Sequence, residues 1–263
     1  MKSAPVALSI AGSDTCGGAG IQADIKVFEE FKVYGTCVIA GLTAQNTRQV
    51  KGFLKIPKYF FSLQLETLLS DIVPSAFKTG MIGEYFMPKT LAFFIKKYRL
   101  KNFVLDPVIV SKSGACLCSE KTRRESEKYL YPLSDIITPN IPEAEIISKI
   151  KIKSEEDIIF ACEKISQKGP RSVLLKGGHG KGAVLRDYYW EKGNIKIFSR
   201  KRINTRNTHG TGCSLSAAIT ALLASGFERE EAVKRALEYA EGAIKNSFGL
   251  GRGWGPLNHF FYR

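Results

Sequence analysis

The chain has 263 residues, 44% of them hydrophobic and 24% charged, with 39 Lys and Arg against 25 Asp and Glu for a formal net charge of +14. That balance excludes a disordered or fibrous chain and supplies enough apolar mass for a large core. No apolar run approaches the roughly 18 to 20 residues of a membrane span, so a cytoplasmic location with no membrane partner is expected. The basic residues are dispersed, with the densest groups (Lys96-Lys97 with Arg99, and Arg200-Lys201-Arg202) where solvated helix ends or hairpins are expected; the excess therefore reads as basic surface and not as a nucleic-acid footprint.

In chain order, strand-like apolar runs at 6–10, 37–42, 102–105, 135–138 and 172–175 each end in small, polar or proline residues. Amphipathic helical patterns at 19–31, 59–72, 87–98, 119–131 and 155–167 lie between them. This alternation predicts an α/β fold, a mostly parallel sheet with helices on both faces and ligands gathered at the carboxyl ends of the strands. Residues 50–57 read as a short extra strand. Residues 182–203 read as a hairpin, with strands 184–190 and 195–198 around a turn at 191–194, so small antiparallel pieces are expected at a sheet edge. The last third reads as two helices, 212–225 and 229–246, with Gly226 as the stop between them. Neither a repeat nor a low-complexity linker divides the chain, and one domain over 1–263 is expected.

The chemistry-bearing segments follow strands. Asn207-Thr208-His209-Gly210-Thr211-Gly212-Cys213 runs straight into the small residues of a helix, which directs free backbone N–H groups and the positive end of the helix dipole at one spot, an arrangement that suits a phosphate. Cys213 falls in the first turn of that helix, where the same field favours its thiolate and makes it a candidate base. Residues 11–20 hold Gly12, Asp14, Gly17, Gly18 and Gly20, yet they match neither the dinucleotide fingerprint nor Walker A; Asp14 there either touches a polar ligand or caps the helix. Gln45, in Thr43-Ala44-Gln45-Asn46-Thr47, offers the acceptor and donors that suit an aminopyrimidine edge, or bonds backbone as an ordinary loop residue. Asp106, Asn140 and Glu143 close neighbouring strands and together can hold Mg²⁺ through hard oxygens. Lys176-Gly177-Gly178-His179 sets a cation and two flexible residues where phosphate would pass. The six scattered cysteines include only one close pair, Cys116 and Cys118, and the three histidines (His179, His209, His259) fit no zinc spacing, so neither a disulfide nor a zinc framework is expected.

Taken in order with Lys78-Thr79-Gly80-Met81, Asp106-Pro107-Val108, Ser113-Gly114 and Thr138-Pro139-Asn140, these segments closely resemble the hydroxymethylpyrimidine/phosphomethylpyrimidine kinases of thiamine biosynthesis, from about residue 6 to 259. The resemblance implies a ribokinase-like three-layer α/β/α sandwich, two successive phosphorylations of a small pyrimidine alcohol by ATP with Mg²⁺, and a homodimer. It implies Gln45 on the pyrimidine ring with Gly12, Asp14, Met81 and Val108 around it. Cys213 would be the base and Gly210, Thr211 and Gly212 the anion hole. Lys176 and Thr208 would lie at the nucleotide phosphates, and Asp106, Asn140 and Glu143 at the metal. Cys16 stands where serine is common in that family, and Leu237 where many relatives have lysine. The alternatives are a pyridoxal kinase of the same family, which Gln45-Asn46 disfavours, and a basic nucleic-acid-binding module, which would bind with steep salt dependence.

Overall fold

Nine strands pair into a single sheet in the computed structural model, which describes residues 4–109, 118–178 and 182–261. They are β1 (Val6–Asp14), β2 (Tyr34–Gln45), β3 (Val50–Lys55), β4 (Ala76–Thr79), β5 (Phe103–Leu105), β6 (Ile136–Ile137), β7 (Ser172–Leu175), β8 (Val184–Glu191) and β9 (Asn194–Lys201), in spatial order β3-β2-β1-β4-β5-β6-β7-β8-β9. From β2 to β7 every pairing is parallel; β3 joins one edge antiparallel, and β8 with β9 the other. The expected α/β/α sandwich with antiparallel edge pieces is the fold observed.

Eight α-helices cover the sheet: α1 (Gly20–Glu30), α2 (Lys58–Leu69), α3 (Met87–Lys97), α4 (Glu120–Tyr129), α5 (Ile141–Ser148), α6 (Glu155–Ser166), α7 (Thr211–Ala224) and α8 (Arg229–Lys245) among the described residues. Successive strand residues point to opposite faces and so feed two cores. Leu8, Ile10, Phe77, Phe103 and Leu175 pack with Phe61, Leu65, Met87, Leu91 and Ile165 on the α2–α6 side. Ala7, Ala76, Val104 and Leu174 meet α1, α7 and α8 on the other. Leu237 of α8 is buried in this second core. Among the described residues no helix is long and apolar enough to cross a membrane.

Two elements were not predicted. β4 is only Ala76-Phe77-Lys78-Thr79, and its central lysine breaks the apolar run by which a buried strand is recognised, although all four residues are buried. α5 opens Ile141-Pro142, which reads as a loop; proline is tolerated there because the first N–H groups of a helix have no partner within it, and an Asn140/Glu143 capping box completes the start. The hairpin turn is tighter than expected. Glu191 and Asn194 pair with each other, leaving Lys192 (φ 50°) and Gly193 (φ 83°) as a two-residue loop with positive φ at both positions, the hand that matches strand twist.

The C-terminal segment is pinned to the start of α7. The Ser214 hydroxyl and His259 Nε2 are hydrogen-bonded at 3.0 Å, and Tyr239 donates to the His259 carbonyl at 2.8 Å. Burial, with Lys26 and His209 nearby, lowers the His259 pKa to about 4. The unfolded imidazole takes a proton near pH 6.5 and the folded one does not, so this group leaves stability unchanged above pH 6.5 and removes up to on the order of 3 kcal/mol as pH falls from 6.5 to 4. Urea unfolding across that range should show the loss in the native chain and a flatter profile in His259→Gln. An unaltered slope in the variant would assign the acid sensitivity to other groups.

Candidate active site

The carboxyl ends of β1, β2, β4, β5 and β7 open toward the start of α7. Its N-cap, Gly210, has φ 79° and ψ 9°, and a Cβ there would lie 1.8 Å from the Gly18 carbonyl oxygen, so only glycine lets the α7 start meet the β1–α1 loop. Thr208 shapes the approach: its carbonyl accepts the Thr211 hydroxyl at 2.8 Å. The Thr211 N–H makes a long bond to the Thr208 carbonyl at 3.4 Å, and the first-turn N–H groups of Gly212 and Cys213 are directed at the space before the helix, the arrangement that draws an anion.

Cys213 feels more than its own helix start, because the N–H of Gly20, the first residue of α1, acts to lower the pKa of its thiol. Two helix N-termini therefore converge on one thiol. Burial nevertheless pushes the Cys213 pKa up to about 11; Lys78 pulls it down, while Asp24 and Asp106 add to the rise. The expected thiolate is thus not the resting form. The motif shows the helix start and not the depth at which the sulfur lies.

Beneath Cys213, Lys78 and Asp24 form an ion pair at 2.8 Å with neither side chain exposed, and the Ser9 hydroxyl donates to the other Asp24 oxygen at 2.6 Å. Lys78 Nζ also lies 3.5 Å from the Cys213 carbonyl. Burial opposes its charge, but Asp24, Cys213 and Asp106 hold the ammonium above its usual pKa. Sequence reasoning quoted Lys78 within a motif and gave it no role. The signal available was a lone cation inside an otherwise apolar four-residue stretch.

Beside Cys213, Lys176 Nζ donates to Asp106 Oδ1 at 3.0 Å, and Thr138 donates to the same oxygen at 3.0 Å. Burial works against the Asp106 charge, but Lys176 and Lys78 keep its carboxyl below the usual range. A Cβ on Gly212 would come within 3.4 Å of Lys176 Nζ and 3.7 Å of Asp106 Oδ2, so the helix start, the cation and the acid share one space. Asn140 and Glu143 are held by their capping box: Asn140 Oδ1 accepts the Glu143 N–H, Glu143 Oε2 accepts the Asn140 N–H, each at 2.9 Å, and Glu143 Oε1 accepts the Ile109 N–H at 3.3 Å. Burial pushes Glu143 up to about 7, with Lys176 opposing and Asp106 adding to the rise. Lys78, which also acts on Asp106, is itself paired with Asp24, so Asp106 and Glu143 share Lys176 and the repulsion between the two acids falls on Glu143.

At the β1 and β2 end, Gly12 touches Met81, since a Cβ there would lie 2.4 Å from Met81 Cε. Asp14 is buried, and its carboxylate accepts the N–H groups of Cys16 (3.0 Å), Gly18 (3.2 Å) and Ala19 (2.9 Å). It therefore organises the loop. Val108 lies two residues beyond Asp106, across Pro107, and its N–H donates to the Asp106 carbonyl at 2.9 Å. The Gln45 amide lies 3.2 Å from His209 Nε2 at one end and 3.3 Å from Thr43 Oγ1 at the other. Thr43 donates its proton to the Ser13 carbonyl at 2.8 Å, and His209 Nε2 faces the Asp14 carboxylate at 2.8 Å, the position of a donor. The Gln45 NH₂ lies toward His209 and its oxygen toward Thr43; with the His209 Nε2 proton given to Asp14, turning the amide over would remove a donor–donor contact and let its oxygen share that proton. This joining role of His209 was missed; the residue reads as a polar loop position. His179, Ser113 and Gly114 lie outside the described residues.

A start of helix that draws an anion, a lysine aimed at it and a buried nucleophilic group beside a polar recognition end define a phosphotransferase. The phosphomethylpyrimidine kinase family profile matches residues 14–258. A hydroxymethylpyrimidine/phosphomethylpyrimidine kinase of Staphylococcus aureus is 40% identical over 98% of this chain and 94% of its own. The crystal structure of phosphomethylpyrimidine kinase from Clostridium difficile superposes with a TM-score of 0.82 at 42% identity, over 92% of this chain and 100% of that one. The pyridoxal kinase of S. aureus in complex with pyridoxal superposes with a TM-score of 0.92 at 34% identity, over 99% and 95%. The chain belongs to the phosphomethylpyrimidine kinase family.

Proposed function

We propose that this chain transfers the γ-phosphoryl group of ATP to the hydroxymethyl group of 4-amino-5-hydroxymethyl-2-methylpyrimidine, and then phosphorylates the resulting monophosphate to the diphosphate. The observation that carries the reading is the approach of the Gln45 end to the α7 start: His209, which bonds Gln45, directly precedes the Gly210 N-cap. Gln45 holds the pyrimidine edge, with Gly12, Met81 and Val108 packing about the ring and Asp14 fixing the loop beneath it. Cys213 takes the proton of the attacking hydroxyl, which requires its thiolate; Lys78 and the N–H groups at the starts of α1 and α7 stabilise that form against burial. The Gly210, Thr211 and Gly212 segment, with Lys176, meets the charge on the transferred group, and Thr208 borders the nucleotide phosphates. Such transfer depends mainly on positioning and electrostatics. Asp106 and Glu143, with Asn140 beside them, fit a hard divalent cation because they carry more negative charge than Lys176 offsets. Bound there, Mg²⁺ would supply charge neutralisation at phosphate oxygens.

The whole chain acts as one kinase domain in the cytoplasm, with neither nucleic acid nor membrane as partner. It works as a homodimer through the β3 and α2 face, where Phe53, Leu54, Tyr59 and Leu63 are exposed. Steady-state kinetics with the pyrimidine alcohol, its monophosphate and pyridoxal test the substrate: preferred turnover of pyridoxal would overturn the assignment in favour of the vitamin B6 alcohol. Gln45→Ala should raise KM for the pyrimidine by about tenfold, the effect of losing one or two hydrogen bonds, and leave KM for ATP unchanged. Equal losses for both ligands would remove Gln45 from the ring site.

A further inference from the structure

Cys16 and His209 lie in loops far apart in sequence, yet both side chains converge on one atom. Asp14 Oδ2 is 2.8 Å from His209 Nε2 and 3.3 Å from Cys16 Sγ, and one ligand atom from each of the three residues falls within 4.8 Å of the others. That oxygen also accepts the Gly18 and Ala19 N–H groups, which hold it in place, while the Cys16 thiol and the His209 imidazole are the two side-chain donors whose protons a single cation can replace. The donor set is a thiol, an imidazole and a carboxylate, which matches Zn²⁺ and not the all-oxygen preference of Mg²⁺.

We propose that Asp14, Cys16 and His209 form a binding site for one Zn²⁺ ion per chain, and that the ion closes the Gln45 pocket to substrate. With Zn–S near 2.3 Å and Zn–N and Zn–O near 2.0–2.2 Å, tetrahedral ligand atoms stand about 3.3–3.8 Å apart, so the His209–Asp14 pair must open by only about half an ångström. Asp14 is the fixed wall, held by the N–H groups of Cys16, Gly18 and Ala19. His209 is fixed by its N–H bond to the Gly255 carbonyl at 3.0 Å and by Gly18 under its ring, where a Cβ would come within 2.6 Å of Cδ2. The fourth position faces the Gln45 amide or water. On binding, the Cys16 thiol proton leaves to solvent and the imidazole carries its proton on Nδ1, so one proton is released per ion. Zn²⁺ coordination removes His209 from Gln45. The inhibitory consequence rests on the placement of the pyrimidine at Gln45; the ion site does not.

The test uses the full chain freed of metal, with Co²⁺ as spectroscopic stand-in and Zn²⁺ measured by competition with a chromogenic chelator. One Co²⁺ should bind per chain with a thiolate-to-metal charge-transfer band, in the native chain and in Cys213→Ala alike. Cys16→Ser should lose the band and weaken Zn²⁺ binding by at least about tenfold. A band that survives Cys16→Ser, a band lost in Cys213→Ala, or no stoichiometric binding overturns the site. With free Zn²⁺ fixed by a metal buffer and MgATP in excess, KM for the pyrimidine should rise in the native chain and stay flat in Cys16→Ser. The Cys16-dependent band without any effect on that KM supports the ion site and overturns the placement of the pyrimidine.

Discussion

Cys213→Ala lowers kcat by roughly 10²- to 10⁴-fold, the contribution of a positioned base, while KM for ATP and the unfolding midpoint stay near those of the native chain. The residue is half-buried at the first turn of α7, where alanine fits and keeps the helix start. Its proton has a recognisable pH signature. Because burial pushes the thiol to about 11, the reactive thiolate is a small fraction at neutral pH and grows as pH rises. In the native chain kcat/KM, which reports groups of the free enzyme, therefore climbs through the alkaline range, and this limb disappears in the variant. Near-normal turnover in Cys213→Ala, or the same alkaline limb, would place the base elsewhere.

Lys78→Met destabilises the fold by about 3–5 kcal/mol, because it removes the cation that holds the Asp24 charge against burial and leaves that carboxyl, bonded only by Ser9, to take up a proton or stay uncompensated out of reach of water. Adding Asp24→Asn should return more than half of that loss, since the neutral amide keeps a partner in Ser9 and no longer needs a cation. Urea unfolding of the two variants measures both effects. A loss under about 1 kcal/mol in the single variant would mean that the pair is neutral as built. The double variant also separates stability from chemistry: it restores the fold without restoring the positive charge under Cys213, so its kcat should remain depressed.

The long elements were legible because burial on a sheet face or helix stripe writes a period into the residues, as in 172–175, read with the bounds that β7 has. β4 and α5 were not, since a lysine paired out of sight and a proline at the second helical position each resemble a break. The helix start at Gly210 to Cys213 was legible for a related reason: it is one continuous stretch, so its bounds follow from local residues alone. The Asp14–His209–Gln45 contact depends on β1, β2 and α7 meeting in space, and no spacing rule spans that distance. Nor would a ligand-spacing rule bring Asp14, Cys16 and His209 together, because such rules describe ligands within one short loop. The ionisation of Cys213 was misread because its depth belongs to the packing of α1 against α7.

The contact of Gly18 with Gly210 also orders events in time. The β1–α1 loop emerges from the ribosome among the first segments and the start of α7 near the last quarter of the chain, and each is the other's wall. A nascent chain that has made most of its sheet still lacks this junction, so a ligand held there as proposed would stabilise only the nearly finished molecule and offer nothing to its partial forms.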